Sequence, residues 1–101
     1  MSSLQERGKS YEDKFAHDES LRFKINARRN KLLGLWAAEK LGKSGDDAAA
    51  YAKEVVAADF SAPNGVGVLA KLSADLDDPE EDLRAKMEEL LVVARDQVTT
   101  E

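Results

Sequence analysis

The chain has 101 residues, no cysteine and a formal net charge of −5, so it has room for one small domain and cannot form disulfides or thiolate metal sites. Residues 1–41 carry nine basic and six acidic side chains, whereas residues 42–101 carry six and fourteen. The first part of the chain is therefore net basic and the larger second part is net acidic. This distribution argues against a general nucleic-acid-binding protein, which is normally basic over a whole face or domain.

The N-terminal segment, residues 1–19, is polar and predicts neither a signal peptide nor a membrane-spanning helix. Its apolar residues are too few to offset the backbone entropy lost on folding, so we predict an arm that is mobile when free. Leu4, Gly8, Tyr11 and Phe15 nevertheless share one face of a helix if a partner supplies a groove. An arm that folds on binding is therefore the first functional hypothesis, and a terminus without a role is the alternative.

The remaining residues, 20–101, predict an all-α four-helix bundle, because alternating strand patterns are almost absent. The helices are expected at about 20–41, 45–60, 65–76 and 79–98. Gly42 is a typical C-terminal stop for the first helix, and Ser44 is a typical N-cap for the second. Asp78 and Glu81 match a capping box at the start of the fourth.

Apolar residues at helical spacing predict one inward stripe on each helix. On the first helix the stripe comprises Leu21, Ile25, Leu32, Leu35 and Trp36. On the other helices the inward residues are Ala48, Tyr51, Ala52, Val55, Val56, Phe60, Leu69, Leu72, Leu76, Leu83, Met87, Leu90, Leu91, Ala94 and Val98. Phe23 and Leu33 fall outside the first stripe, so either another helix packs against them or they contact a ligand or partner.

A basic face on the first helix is the best candidate site. Arg22, Asn26, Arg29 and Asn30 lie together on the side away from the leucine stripe. Guanidinium groups suit phosphate oxygens, and asparagine amides can pair with the edge of a purine, so this face could bind a nucleotide. The alternative is structural, because such basic side chains often cover the edge of a core or pair with acidic helices of the same bundle.

Catalytic and metal-binding patterns are not apparent in the sequence. His17 is the only histidine and is followed by two acids, Asp18 and Glu19, which is typical of a solvated side chain. The acidic run in residues 75–82 lacks the glycine and the terminal glutamate of a calcium-binding loop. With no nucleophile motif either, the sequence predicts neither an enzyme nor a metal site.

The segment from residue 28 to 42, RRNKLLGLWAAEKLG, resembles the zeta subunit of alphaproteobacterial F-type ATP synthases. Further similar segments occur in the same order: LRFK at 21–24, YAKEVVAADF at 51–60 and RAKM at 84–87. The resemblance covers nearly the whole chain. Two positions depart from the family pattern, since Tyr11 replaces a commoner phenylalanine and Ser20 stands where an acid is frequent.

The resemblance implies a four-helix bundle with a mobile N-terminal arm that inhibits ATP hydrolysis by the catalytic head, inserting beside the central stalk. The inhibitory segment implied for this chain comprises Leu4, Arg7, Lys9, Tyr11, Lys14 and Phe15. No cofactor is required, and ADP or ATP is the implied regulatory ligand of the bundle. The protein would act at the cytoplasmic face of the inner membrane without inserting into it. The alternative function is a nucleotide-sensing helical module without inhibitory action.

Overall fold

The computed structural model describes the backbone of residues 2–100 and the side chains of residues 19–100. The described backbone contains no strand and four α-helices. The helices are α1 (Ser2–Lys40), α2 (Gly45–Ala58), α3 (Val66–Asp75) and α4 (Glu80–Thr99). The prediction of an all-α chain with four helices is therefore confirmed.

The first helix begins much earlier than predicted. The sequence placed its start near Ser20, but α1 is continuous for 39 residues from Ser2. A helix of that length spans about 58 Å, close to the longest dimension of the molecule, 61 Å. The prediction treated residues 1–19 as a separate segment, whereas extending an existing helix requires no new nucleus. The mobility of the arm stays a prediction, and the side chains of residues 1–18 lie outside the described residues.

The end of α1 agrees with the predicted stop. Gly42 has a left-handed backbone with φ of 76°, and the Lys43 N–H donates to the Ala38 carbonyl at 2.8 Å. This arrangement closes the last turn of a helix. Ser44 does occupy the N-cap position of α2, but its hydroxyl makes no capping hydrogen bond with the described residues. The predicted position of Ser44 is therefore correct, but the predicted capping by its side chain is wrong.

The start of α4 also differs from the prediction. The helix begins at Glu80 with Pro79 at the N-cap, and no described side chain caps it. The Asp78 carboxylate instead accepts a hydrogen bond from Lys40 Nζ at 2.7 Å. Asp78 is thus used to join the end of α1 to the start of α4. The predicted capping box with Glu81 does not form, because a tertiary ion pair competes for the same carboxylate.

The main core lies where all four helices meet. Its largest fully buried side chains are Leu33, Val55, Val68, Leu72 and Leu83. Tyr51 is buried as predicted, and Trp36 packs against the cluster at its edge. A second, smaller cluster joins α1 to α4 through Ile25, Ala94 and Val98. These two clusters confirm most of the predicted inward residues.

Three apolar residues differ in burial from what the predicted inward stripes implied. Leu33 is completely buried, so another helix does pack against it, while Leu35 is 39% exposed and Phe60 is 80% exposed. Since α1 packs against both α2 and α4, its buried face is broader than one stripe and is turned toward Leu33. Phe60 follows the end of α2 at Ala58, so helical spacing no longer fixes its direction.

A polar network links α2 to α3. The Tyr51 hydroxyl donates to Asp75 Oδ2 at 2.8 Å, and Lys71 Nζ lies 2.9 Å from the same oxygen. Burial, reinforced by the bond to Asp75, raises the pKa of Tyr51. The hydrogen bonds from Lys71 and Tyr51 lower the pKa of Asp75. Asp75 is therefore a fixed, ionised acceptor that holds the two helices in register.

Candidate functional site

The predicted basic face of α1 is divided by burial. Arg22 and Asn26 are exposed, Arg29 is half-buried, and Asn30 is only 1% exposed. The first three follow one another at steps of four and three residues, so they form one row along the helix. Asn30 lies beside this row but faces the protein interior. The structure therefore brings together three of the four predicted residues on an accessible surface.

The side chain of Asn30 is hydrogen-bonded to Arg29 and is shielded from solvent. Both Nε and Nη2 of Arg29 donate to Asn30 Oδ1, at 3.1 and 3.0 Å. Sequence reasoning missed this role, although positions 30, 33 and 37 are spaced like one buried face and Leu33 and Ala37 are fully buried. Asn30 is thus a positioning residue that fixes the direction of the Arg29 guanidinium.

Arg29 carries a partly desolvated charge. Burial lowers the pKa of its guanidinium, and the charge of Asp59 opposes that effect. Arginine stays protonated in spite of such a shift. Among the described residues, its side chain has no hydrogen-bond acceptor other than Asn30 and no ion pair within contact distance. A guanidinium has five N–H donors, so Arg29 retains donors for an external anion.

A surface hollow of about 300 Å³ lies against Arg29. It is lined by Arg29, Arg84, Met87, Glu88 and Leu91, so it joins α1 to α4. Two guanidinium groups suit an anion, and the side chains of Met87 and Leu91 offer an apolar surface to a ring. Glu88 excludes anions from its own part of the rim. The hollow therefore combines cationic groups that could bind phosphate with an apolar surface that could contact the base of a nucleotide.

Arg84 is the residue of this hollow that the basic-face prediction did not include. Its Nη2 lies 2.9 Å from Glu80 Oε1, and both side chains are well exposed. An exposed pair of this kind contributes little to stability and can be exchanged for another anion. Only tertiary structure brings Arg84 to Arg29, because the two residues lie on different helices.

The predicted inhibitory segment lies on the same helix as this site. Leu4, Arg7, Lys9, Tyr11, Lys14 and Phe15 all belong to the N-terminal half of α1. Their side chains lie outside the described residues, as does that of His17. What the structure does establish is that one uninterrupted helix connects this segment to the row formed by Arg22, Asn26 and Arg29.

The described part of the chain contains neither an arrangement typical of a metal site nor a membrane-spanning helix. There, no group of three or more histidine or acidic side chains is arranged to hold a metal ion. No helix among the described residues is both long and apolar enough to cross a bilayer.

Comparison with known proteins assigns the chain to a family. The family model described as ATPase inhibitor subunit zeta matches residues 1–97. A protein solved by solution NMR is 54% identical, with 79% of this chain and 96% of that chain covered at a TM-score of 0.73. Among curated proteins, none matches the chain. Since the family model extends over nearly the whole sequence, the chain belongs to the ATPase inhibitor subunit zeta family.

Proposed function

We propose that this protein is a regulatory, non-catalytic subunit that inhibits ATP hydrolysis by the catalytic head of an F-type ATP synthase. Residues 1–19 insert at a catalytic interface beside the central stalk and block rotation in the hydrolytic direction. The observation that carries the proposal is the family match, which starts at residue 1 and therefore includes the arm together with the bundle. The protein acts at the cytoplasmic face of the inner membrane through its attachment to the synthase.

The continuity of α1 supports this mechanism. The helix reaches from Ser2 into the bundle core, where Leu33 and Ala37 are fully buried. An arm that extends a helix already formed loses less conformational entropy on insertion than a separate peptide. Force applied to the inserted end is also transmitted directly to the bundle. The inserted arm can thus resist rotation because it is held by the folded bundle.

The proposed contacts divide into anchors and charge partners. Tyr11 and Phe15 are one helical turn apart and supply the apolar anchors. Arg7, Lys9 and Lys14 supply cations for acidic groups on the catalytic head, and Leu4 extends the apolar face toward the N-terminus. Rim charges of this kind accelerate and orient association more than they increase affinity. The aromatic pair should therefore dominate the strength of inhibition.

Replacing Tyr11 and Phe15 by serine should weaken inhibition strongly. Each substitution, Tyr11→Ser or Phe15→Ser, is expected to raise the concentration for half-inhibition about thirtyfold, the effect of removing an interface hot spot. The measurement is ATP hydrolysis by the cognate head at increasing concentrations of the full-length variant. Asp13→Asn is the matched control, because position 13 lies on the opposite side of the helix. Equal weakening by the control would contradict the assignment of the anchors.

We further propose that ADP or ATP binds the bundle as a regulatory ligand at the hollow beside Arg29. The support is the pairing of two guanidinium groups with the apolar side chains of Met87 and Leu91. Arg29 is held in place by Asn30, so its orientation is fixed before a ligand arrives. Arg22 and Asn26 continue the same face toward the arm and can contact the more distant end of the nucleotide.

ADP binding should depend on Arg84. We expect Arg84→Gln to weaken ADP binding about tenfold, because a charge-assisted hydrogen bond to phosphate is lost. The measurement is calorimetric titration, together with amide chemical shifts that should move in residues 26–30 and 84–91. Arg95→Gln is the control, since Arg95 is an exposed arginine of the same helix and does not line the hollow. Equal losses in both variants would indicate only non-specific attraction.

A further inference from the structure

An apolar groove runs between α1 and α2. Its volume is about 560 Å³, and its lining includes Ala27 and Leu35 from α1, Val56 from α2, and Phe60 just beyond α2. This groove is separate from the hollow beside Arg29. Ala27 and Arg29 are two residues apart on one helix, so their side chains leave α1 on nearly opposite sides.

Small residues create the groove. A Cβ on Gly34 would lie 2.5 Å from the Ala52 Cα atom, so α1 and α2 cross closely at this point. Alanines line the floor beside the crossing, while Leu35 and Phe60 stand at the edge with 39% and 80% of their surfaces exposed. A depression with large exposed apolar side chains at its edge is typical of an interaction site.

The apolar surface continues along α1. A second hollow, of about 270 Å³, shares Ala27 and Lys31 with the groove and extends to Phe23. Phe23 is 66% exposed. Phe23 and Leu35 are separated by about 18 Å along the helix, which is the length of about three helical turns. The exposed surface therefore matches the apolar face of a short helix.

The surface formed by these two hollows is positively charged, whereas the protein as a whole is negatively charged. Lys24 and Lys31 on α1 and Lys53 on α2 line the two hollows and are exposed. No described acidic side chain lines either hollow, and none of the three lysines forms an ion pair with a described residue. In a chain with a net charge of −5, this local excess of positive charge favours an acidic occupant.

We propose that the α1–α2 groove docks an amphipathic helix of the ATPase assembly whose apolar face is flanked by acidic residues. This inference rests on the proposed function, since it gives the inhibitor a second contact with the same assembly. A helix lying in an apolar groove is a common recognition mode. Two linked contacts raise the effective concentration of the arm at its own site, so inhibition is reached at lower protein concentration.

Reversal of two lysine charges tests the groove. In the full chain, Lys31→Glu combined with Lys53→Glu should weaken binding to the cognate assembly at least about tenfold and reduce its salt dependence to the part that the arm cations supply. Inhibition at saturating concentration should remain, because the arm is unchanged. The matched control is Lys43→Glu with Arg95→Glu, which changes the net charge equally at exposed positions outside the groove. Unchanged binding of the Lys31 and Lys53 variant, or equal weakening by the control, overturns the proposal.

A photocrosslink identifies the occupant. Benzoyl-phenylalanine in place of Phe60 should crosslink to an acidic helical segment of the assembly, and Lys31→Glu with Lys53→Glu should abolish that product. Products confined to a second copy of this chain or to phospholipid overturn the proposal. If the protein with the crosslinker at position 60 binds and crosslinks, but neither it nor the unmodified protein inhibits, the groove is supported and the proposed inhibitory function fails. If the protein with the crosslinker inhibits but does not form this crosslink, only the groove proposal fails.

Discussion

Deletion of residues 1–18 should abolish inhibition of ATP hydrolysis while leaving the thermal unfolding of the bundle almost unchanged. The reason is that the buried side chains described for α1, among them Ile25, Leu33 and Ala37, follow the deletion. The new first residue, Glu19, places a carboxylate at the N-terminal end of the helix dipole, which favours the shortened helix. We expect inhibition to fall below detection and the melting temperature to shift by only a few degrees, about what 1 kcal/mol produces.

Two measurements check this result. Hydrolysis by the cognate head gives the inhibition, and circular dichroism gives the helix content and melting temperature of the truncated chain. A large fall in melting temperature would show that the deleted segment belongs to the core. A synthetic peptide of residues 1–19 provides the matched control. It should restore inhibition only at much higher concentration, because a short isolated helix is marginal in water.

The truncated chain also separates the proposed function from its alternative. The Arg29 hollow lies entirely within the retained residues, so ADP should still bind to it. If ADP binds and the deletion changes nothing in the ATPase assay, the protein is a nucleotide-sensing module without inhibitory action. If the deletion abolishes inhibition and ADP does not bind, only the inhibitory part of the proposal stands.

Local patterns were sufficient to predict the four helices, apart from the start of α1. Gly42 ended α1 as predicted because a left-handed glycine stops a helix irrespective of its tertiary surroundings. The prediction failed where one residue had two competing partners. Asp78 pairs with Lys40 instead of capping α4, and that choice depends on how two distant segments approach each other. Capping rules alone do not contain this information.

The candidate site was predictable only in part, for a related reason. The row of Arg22, Asn26 and Arg29 follows from helical spacing, and the structure leaves it accessible. Arg84 could not be assigned to it, because the apolar stripe shows which face of α4 is buried but not which helix packs beside Arg84. Asn30 was misplaced because polar residues are usually exposed, whereas this one is buried and hydrogen-bonded to an arginine.

Leu33 and Leu35 offer the sharpest test of the packing. Helical spacing placed Leu35 in the core, whereas the structure buries Leu33 completely and leaves Leu35 39% exposed. We expect Leu33→Ala to lower the free energy of unfolding by about 3–4 kcal/mol, since it removes buried methyl groups and leaves a cavity. Leu35→Ala should cost less, about 1–2 kcal/mol, because 39% of Leu35 is already exposed and its removal leaves no enclosed cavity.

Urea unfolding monitored by circular dichroism measures both changes in one experiment. The two substitutions remove the same atoms from neighbouring positions of one helix, so differences in helix propensity cancel. The dependence of the unfolding free energy on urea concentration should stay constant, which ensures that midpoints report stability. Equal losses, or a larger loss for Leu35→Ala, would show that α1 is rotated relative to the described packing. Leu35→Ala should instead weaken binding at the α1–α2 groove, because Leu35 lines that surface. Stability and partner binding would then be carried by residues two positions apart on opposite sides of α1.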